Sequence, residues 1–200
     1  DSVFVIKIAT GFYDNPSKGL ASSNGIMLAL SAETGEVMAI LQDEGYLTDL
    51  RTGIGAALAT KAGCRGDAQR VGVVGTGIQA RIQIRCLNAL MPDAGLVFSV
   101  WGRSEKKMRQ LAQDLTAHQI SVTVQPDLET LCVNADILLT TTAAKTPLIR
   151  SSWISDGTHI TASGADAPGK QELDSALTAR ADLLIPVSYT HLRAHETEEN

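Results

Sequence analysis

Several features that define other classes of protein are scarce or missing in this sequence. Aromatic residues make up 4% of the 200 residues, and the three cysteines, Cys64, Cys86 and Cys132, form no Cys-x-x-Cys pair. Their odd number disfavours a disulfide framework or a zinc knuckle and is typical of buried thiols. No apolar run approaches the roughly 18 residues that span a bilayer, and no basic-then-apolar leader opens the chain. We therefore expect a cytoplasmic protein without a membrane segment.

Positive charge is also scarce. Lysine and arginine number 17 against 22 aspartates and glutamates, which gives a formal net charge of -5. Because nucleic-acid-binding proteins usually present a basic face that displaces counterions from phosphates, we expect no nucleic-acid partner. The sequence does contain a 44% share of hydrophobic residues, which is enough for a sizeable buried core. The chain opens at Asp1 directly inside a strand-like run, which we interpret as the start of a fragment.

The first part of the chain, residues 1–66, has the pattern of a partial β-rich domain with a connecting helix. Strand-like runs occur at 3–9, 26–31 and 37–42. The loop between the first two runs is rich in Gly, Asn, Pro and Ser, and is either a ligand-contacting loop or a plain surface connection. A helical pattern follows over 48–63, with Thr48 or Asp49 as its N-cap and Gly63 as its end.

Strands and helices alternate in the second part of the chain, residues 67–186. The predicted strands are at 71–74, 96–101, 120–124, 137–141, 159–163 and 182–185. The predicted helices are at 78–91, 104–117, 127–134 and 171–179. Short apolar strands separated by amphipathic helices are typical of a parallel sheet that is covered on both faces. The sequence therefore predicts the α/β class, with an incomplete Rossmann domain built on a doubly wound parallel sheet.

A glycine-rich turn lies at the start of this alternation. In VGVVGTGIQA, residues 71–80, a strand runs into Gly75-Thr76-Gly77 and then into a helix. Gly75 permits the sharp turn, Gly77 lets a pyrophosphate approach the backbone, and Ala80 is small enough for the helix to pack against the strand. The helix N-terminus adds a partial positive charge. This context predicts a dinucleotide-binding site, with a purely structural tight turn as the alternative.

The end of the next strand bears on which dinucleotide is bound. NAD-binding proteins usually place an acidic residue there, where it accepts the ribose 2'-hydroxyl, but this sequence has Gly102, Arg103 and Ser104. These residues offer room, a guanidinium and a hydroxyl, which suit a 2'-phosphate. The alternative is an exposed Arg103, or one that stacks on the adenine of either cofactor. We favour NADP and leave NAD open.

Asp166 is the candidate catalytic acid or base. It follows a predicted strand, lies between Gly164 and Pro168, and precedes Lys170 by four residues. Ligands of open α/β sheets bind beyond the carboxyl ends of the strands, where a carboxylate beside a nicotinamide can move a proton. The alternative is a turn aspartate that bonds its own backbone.

Four motifs together carry a resemblance to a known family. They are YLTDLRTGIGAALATK, VGVVGTGIQARIQ, VWGRS and GTHITASGADAPGKQELD, and over about residues 3–185 the chain resembles the ornithine cyclodeaminase and mu-crystallin family. The resemblance implies NAD(P)-dependent chemistry on an amino or imino acid, and a Rossmann domain paired with a β-rich domain that also forms a homodimer. Within the family, the chain most resembles the ectoine-utilisation and imine reductase branch.

The resemblance also implies roles for individual residues. Lys7 and Arg51 hold the substrate carboxylate, Arg51 also lies near the cofactor, Asp166 is catalytic and Lys170 lies on the cofactor side. Further cofactor contacts are implied for Ser22, Ile78, Gln79, Thr141 and Thr142. A lysine and an arginine suit a carboxylate because they supply a point charge and a planar fork. If the resemblance is set aside, Lys7 is an exposed strand residue and Arg51 a helix-surface charge.

These roles predict hydride transfer at Cα, with deamination or imine reduction. The alternative is a catalytically silent protein of the mu-crystallin type that binds NAD(P)H or a small ligand. Residues 187–200 depart from the family pattern, and we interpret them as an artefactual tail. His191, His195 and Glu196 in that tail have a helix-compatible metal spacing but no fourth partner, so we predict no metal site.

Overall fold

The computed structural model describes residues 2–12 and 14–186. The interpretation of residues 187–200 as an artefactual tail, together with the spacing of His191 and His195, lies outside the described residues and stays a prediction.

An antiparallel sheet of three strands, in the order β1-β2-β3, opens the chain. Its strands are β1 (Val3–Gly11), β2 (Ser23–Ser31) and β3 (Val37–Leu41), and a short 3-10 helix, Asn15–Lys18, lies between the first two. The three predicted strands are therefore confirmed. Ile6 pairs with Leu28, and Leu28 pairs with Ile40, so these apolar side chains share one face of the sheet. Ile6 is 48% and Ile40 60% exposed, which leaves this apolar face largely open.

Helix α1 (Tyr46–Gly63) connects the two sheets, and its N-terminus corrects the prediction. Gly45, with φ of 89°, precedes the helix, and the Asp43 carboxylate accepts a hydrogen bond from the second N–H of the helix at 2.7 Å. Thr48 and Asp49, expected as N-caps, therefore lie inside the first turn, because the helix already begins at Tyr46. The helix ends at the predicted residue.

The second sheet has five parallel strands in the order β6-β5-β4-β7-β8. Its strands are β4 (Arg70–Val74), β5 (Val97–Trp101), β6 (Val122–Val124), β7 (Ile137–Thr140) and β8 (His159–Ala162). Its helices are α2 (Ile78–Leu90), α3 (Glu105–Thr116), α4 (Leu128–Val133) and α5 (Ser175–Ala179), with a 3-10 helix at Ser151–Trp153. From β4 the chain runs outward to β6, returns to β7 beside β4, and continues outward to β8. This order confirms the doubly wound parallel sheet.

Both faces of the central strand are buried. Val71 and Val73 belong to a cluster that includes Ile84 of α2 and Leu111 of α3, while Val74 belongs to a second cluster with Leu131 of α4. Successive side chains of a strand point to opposite faces, so an uninterrupted apolar run indicates burial on both sides. The sheet therefore lies between two helical layers, as predicted.

The region after β8 differs from the prediction in two places. Only Ser175–Ala179 of the predicted helix 171–179 is helical. Leu173 forms a parallel bridge with Ile149, and Glu172 is 1% exposed, so this segment is held extended by contacts with the sheet. Residues 182–185, predicted as a strand, are not in one, and Leu183 is 74% exposed. Their backbone does not pair with β8, which is the edge strand of the described sheet.

The three cysteines are free thiols. Cys132 is buried as expected, and burial raises its pKa to about 12. Cys64 and Cys86 are only partly buried, so the expectation of buried thiols is met fully by one of the three.

His159 joins β8 to the end of α1. A Cβ on Gly63 would lie 2.6 Å from the ring Cε1 of His159, so only glycine lets the helix end approach the ring this closely. The ring Nε2 lies 3.0 Å from the Thr161 hydroxyl, which in turn lies 2.7 Å from the hydroxyl of Thr60 on α1. Burial is the main cause that lowers the pKa of His159 below its usual value of 6.5.

This arrangement predicts a loss of stability in mild acid. Because the pKa of His159 is lower in the folded chain, the unfolded chain binds a proton first as the pH falls below about 6.5. The free energy of unfolding should then decrease by at most about 1.4 kcal/mol per pH unit. Urea unfolding of wild type and His159→Gln at pH 7.5 and 5.5 should show a smaller acid loss in the variant. His118→Gln, at an exposed position, is the control, and an equal acid loss in all three proteins contradicts the prediction.

Candidate functional site

The glycine turn after β4 lies where three strand ends meet. Gly75 has φ of 125°, a conformation that favours glycine, and its N–H donates to the carbonyl of Trp101 at the end of β5 at 2.9 Å. A Cβ on Gly75 would overlap the hydroxyl of Thr141, which follows β7. The predicted cofactor residues Gly75 and Thr141 are therefore in direct contact at the carboxyl edge of the sheet.

The start of α2 fits a phosphate group. Gly77 precedes the helix and no side chain caps it, while the space above its Cα is open, with nothing within 4 Å of an added Cβ. Ala80 is fully buried against the core, which is the reason expected for a small residue there. Ile78, the first helical residue, is 49% exposed beside this open space. Uncapped N–H groups and open room together suit the pyrophosphate of a dinucleotide.

Arg81 is a residue of this turn that the sequence analysis missed. Its Nη1 donates to the carbonyl of Thr76 at 2.6 Å and to that of Gly77 at 3.2 Å, and its Nε donates to Asp114 on α3 at 2.9 Å. The guanidinium therefore fixes the backbone of the glycine turn and ties it to α3. The only signal in the sequence is an arginine one turn into the helix.

The loop after β5 packs against the same turn. A Cβ on Gly102 would lie 2.7 Å from Cγ2 of Thr76, so glycine is needed for this approach. Arg103 is exposed, and within the described part of the chain its guanidinium makes no hydrogen bond or ion pair. Ser104 is the N-cap of α3, and its hydroxyl oxygen accepts the N–H of Lys107 at 3.4 Å. That hydroxyl retains its own proton to donate to a ligand.

The predicted carboxylate-binding residues lie at the start of α1. The Lys7 ammonium on β1 donates to the Thr48 hydroxyl at 3.4 Å, and the exposed Arg51 lies three residues further along α1. Residues three apart on a helix are neighbours on its surface, so Lys7 and Arg51 approach the same end of α1.

The first turns of α1 and α2 are also joined. Gln79, a predicted cofactor contact, donates from Nε2 to the backbone carbonyl of Asp49 at 3.2 Å and to its carboxylate at 3.1 Å. Burial is the main cause that raises the pKa of Asp49 above its usual value. These bonds from Gln79 hold the first turn of α1, which contains Asp49 and precedes Arg51, next to the glycine turn.

Asp166 and Lys170 form an ion pair in the loop after β8. The ammonium of Lys170 lies 2.5 Å from the Asp166 carboxylate. The Lys170 side chain is 8% exposed and that of Asp166 is 58% exposed, so the acid faces outward from a buried cation. The pair supplies a carboxylate and an ammonium within reach of one bound molecule.

A cavity of about 380 Å³ separates this loop from the end of the antiparallel sheet. Its lining comprises Gly11, Phe12, Asp14, Asn15, Lys18, Ala143, Lys145 and Lys170. Ser22, a predicted cofactor contact, closes the loop on the β1 side by accepting the N–H of Phe12 at 2.8 Å. The loop after β1 and the loop after β8 thus form two walls of one cavity.

The predicted substrate-binding and catalytic side chains lie on separate elements. Lys7 on β1 and Arg51 on α1 form one set, and Asp166 with Lys170 in the loop after β8 forms the other. Gln83, which the sequence analysis missed, bonds residues near both sets: its Nε2 donates to the Ser163 hydroxyl at 2.8 Å and lies 3.5 Å from Oε1 of Gln79.

Glu172 is a second buried polar residue that the sequence analysis passed over. Its carboxylate accepts the N–H of Thr142 at 2.6 Å and the Thr142 hydroxyl at 2.7 Å. Thr142, a predicted cofactor contact, is therefore held by a carboxylate from the segment after the Asp166 loop. The motif QELD contains Glu172, but nothing in its sequence indicates that this carboxylate is buried.

Two kinds of site are not found in the part of the chain that the structure describes. No group of three or more histidine, cysteine, aspartate and glutamate side chains is placed to hold a metal ion there. None of the helices in the described ranges combines the length and apolar character that a bilayer crossing demands.

Comparison with known proteins agrees with this architecture. The model of the ornithine cyclodeaminase/mu-crystallin family matches residues 1–199, and the chain belongs to that family. An uncharacterized cyclodeaminase of Sinorhizobium fredii is 41% identical over 191 residues, which cover 95% of this chain and 57% of that protein. The chain spans about half the length of the curated relatives it matches.

Two solved structures share the fold at substantial identity. An archaeal alanine dehydrogenase dimer with bound NAD superposes with a TM-score of 0.82 at 32% identity, covering 90% of this chain and 55% of that one. The Thermococcus litoralis Delta(1)-pyrroline-2-carboxylate reductase, in complex with NADH and L-proline, gives a TM-score of 0.80 at 28% identity, covering 88% and 54%.

Proposed function

We propose that this protein is an NAD(P)-dependent enzyme of amino-acid or imino-acid metabolism. The observation that carries the proposal is the placement of the open space at Gly77 and of the Asp166–Lys170 pair at the same carboxyl edge of the parallel sheet. Ligands of doubly wound sheets bind at this edge, beside the point where the strand order reverses. The family and the three relatives, named as an uncharacterized cyclodeaminase, an alanine dehydrogenase and a Delta(1)-pyrroline-2-carboxylate reductase, support this class.

The residues divide the work of the proposed reaction. A bound nicotinamide supplies a site that accepts or donates a hydride. Lys7 and Arg51 bind the substrate carboxylate, which orients Cα for that transfer. Asp166 moves a proton at the substrate nitrogen or at an attacking water, and Lys170 holds the Asp166 carboxylate in place. The same set serves an amino-acid oxidation, an imine reduction or a deamination.

Within the family, the proposal keeps to the ectoine-utilisation and imine reductase branch suggested by the N-terminal motifs. The placement in the cytoplasm stays a prediction. A catalytically silent protein that binds NAD(P)H is the competing function, and turnover separates the two.

Asp166→Asn tests the proposed proton transfer. The purified protein is mixed with NADH or NADPH and a panel of cyclic and acyclic imino acids, and the loss of nicotinamide absorbance is followed. The variant should reduce kcat about 10²- to 10⁴-fold, because the amide cannot exchange the proton. NADH affinity, measured by fluorescence, should change little because Asp166 is not part of the glycine turn.

The matched control is Asp156→Asn, which removes another exposed carboxylate from an ion pair, 2.8 Å from Arg180, away from the site. It should keep wild-type kcat. Cofactor binding without turnover of any imino acid, and without deamination of ornithine, would falsify the enzymatic proposal and favour the silent binding protein.

Arg103→Gln tests the proposed preference for NADP. An exposed guanidinium that binds a 2'-phosphate makes a charge-assisted bond, and its loss should weaken NADPH binding about 10- to 100-fold while NADH binding changes less than about 3-fold. Arg109→Gln on α3, whose guanidinium pairs with Glu105 at 2.6 Å, is the control. Equal losses for both cofactors, or a wild type that binds NADH more tightly, contradict the preference.

A homodimer is part of the proposal. The apolar face of the antiparallel sheet that carries Ile6, Leu28 and Ile40 lies opposite the face that carries Lys7, because side chains alternate along each strand. A second copy of the chain covers that face and leaves Lys7 toward the candidate site. The alanine dehydrogenase relative is described as a dimer, which supports this arrangement.

Ile40→Lys tests the dimer. A charged side chain at the centre of an apolar interface should shift the protein from dimer to monomer in light scattering at micromolar concentration, because burying an unpaired ammonium is costly. Leu183→Lys, at a 74% exposed position outside the sheet, should leave the dimer intact. A monomeric wild type rules out the interface.

A further inference from the structure

Glu172 is the most deeply buried carboxylate near the candidate site, at 1% exposure. Its two oxygens receive four hydrogen bonds. Oε1 accepts the N–H and the hydroxyl of Thr142, at 2.6 and 2.7 Å. Oε2 accepts the Thr140 hydroxyl at 2.8 Å and the Gly164 N–H at 2.9 Å.

A carboxylate in this position is costly unless it is fully hydrogen-bonded. Removing a charge from water has a large desolvation penalty, which only well-placed donors offset. The four donors occupy the lone-pair positions of both oxygens. An apolar side chain would fill the same buried space without that penalty. The role of Glu172 therefore lies in the groups that it joins.

Those groups are the ends of two neighbouring strands. Thr140 ends β7 and Thr142 follows it, whereas Gly164 follows β8. A Cβ on Gly164 would overlap the backbone N and O of Thr142, so the two chain segments touch at this point. Glu172 therefore fastens the start of the loop after β8, at Gly164, to the end of β7.

The loop fastened in this way contains Asp166 and Lys170. Gly164 lies two residues before Asp166, and Glu172 lies two residues after Lys170. One carboxylate thus closes the loop at both of its ends. The backbone of Glu172 is anchored separately, because its carbonyl accepts the N–H groups of Leu148 at 2.8 Å and Ile149 at 3.0 Å.

We propose that Glu172 is a positioning residue for Asp166: by binding Thr142 and Gly164 together, it sets where the Asp166–Lys170 pair lies relative to the glycine turn. The inference rests on the proposed function only in assigning proton transfer to Asp166. The fastening of the loop is a property of the chain and is measured without turnover.

Glu172→Gln is the decisive variant. The glutamine side chain keeps the shape of the glutamate. Its NH₂ group, however, can only donate hydrogen bonds, and it replaces an oxygen that accepted two of them. Hydrogen–deuterium exchange of the Gly164 and Thr142 amides should become at least about 10-fold faster, because local opening of the loop becomes easier. Exchange in β4 and α2 should stay as in the wild type.

Kinetic constants supply a second readout. A displacement of Asp166 by about 1 Å should lower kcat about 10- to 100-fold. NADH affinity should fall by a smaller factor than kcat, since Gly75 and Gly77 are held by Trp101 and Arg81 and, of these cofactor residues, Thr142 is the one that Glu172 holds. Thr142→Val, which removes one donor to Glu172, should shift exchange and kcat in the same direction by a smaller factor.

Asp136→Asn is the matched control, because Asp136 is another buried carboxylate, 8% exposed, but lies at the opposite edge of the sheet. It accepts the Arg70 N–H at 2.9 Å and the Arg70 guanidinium at 2.8 Å. Asp136→Asn should lower the denaturation midpoint while Gly164 exchange and kcat stay at wild-type values. If Glu172→Gln lowers the midpoint in the same way and leaves both readouts unchanged, Glu172 is structural only and the inference is wrong.

If Glu172→Gln fails to fold, Glu172→Asp, which keeps the charge but shortens the reach, should show an intermediate acceleration of Gly164 exchange, and wild-type exchange in it overturns the inference. If the wild type shows no turnover, the proposed function fails, and Gly164 exchange in Glu172→Gln still decides the role of Glu172.

Discussion

Gly75 lies so close to Thr141 that any side chain on Gly75 would overlap the Thr141 hydroxyl. This approach depends on the strand order, since β4 lies between β5 and β7 and the chain leaves it in both directions. The reversal of strand order at β4 leaves a crevice at the carboxyl edge of the sheet, and the glycine turn lies at the bottom of this crevice. Gly102 packs on the turn from β5, and Gln79 attaches α1 to it. The loop after β5, the loop after β7 and the first turn of α1 are thus positioned by contacts made around one turn.

The local patterns of the sequence predicted the α/β part well because strands and helices there have different hydrophobic periods. They failed where a tertiary contact outweighed the local preference. Leu173 and Leu177 have a helical spacing of four, but the hydrogen bonds of Glu172 to β7 and to the segment at Ile149 hold the first of them in an extended chain. The apolar run at 182–185 resembles a buried strand, yet a strand exists only where a partner supplies its backbone hydrogen bonds.

The sequence indicated the charged candidate residues more readily than the residues that hold them in place. Lys7 and Arg51 were singled out by the family resemblance, whereas Asp166 was also indicated by its place after a predicted strand. Arg81 and Glu172 do not stand out, because their roles arise from bonds to backbone atoms and to residues as many as 33 positions away. A single sequence contains no record of such pairs. The supporting residues therefore became visible only when the strand ends were placed side by side.

The hydrogen bonds at the carboxyl edge of the sheet determine which way the hydroxyl groups of Ser163 and Thr140 donate. The Ser163 hydroxyl donates to the carbonyl of Thr140 at 3.0 Å, so its oxygen must accept from the Gln83 amide, which fixes the orientation of that amide. Oε1 of Gln83 is then buried without a partner among the described residues. The Thr140 hydroxyl at the end of β7 donates to the Glu172 carboxylate. The hydroxyl donors at the ends of β7 and β8 are therefore both used, one by this carboxylate and the other by the Thr140 carbonyl on β7. Because these hydroxyl and amide groups bond to one another and to Glu172, they join the start of the loop that contains Asp166 to the end of β7.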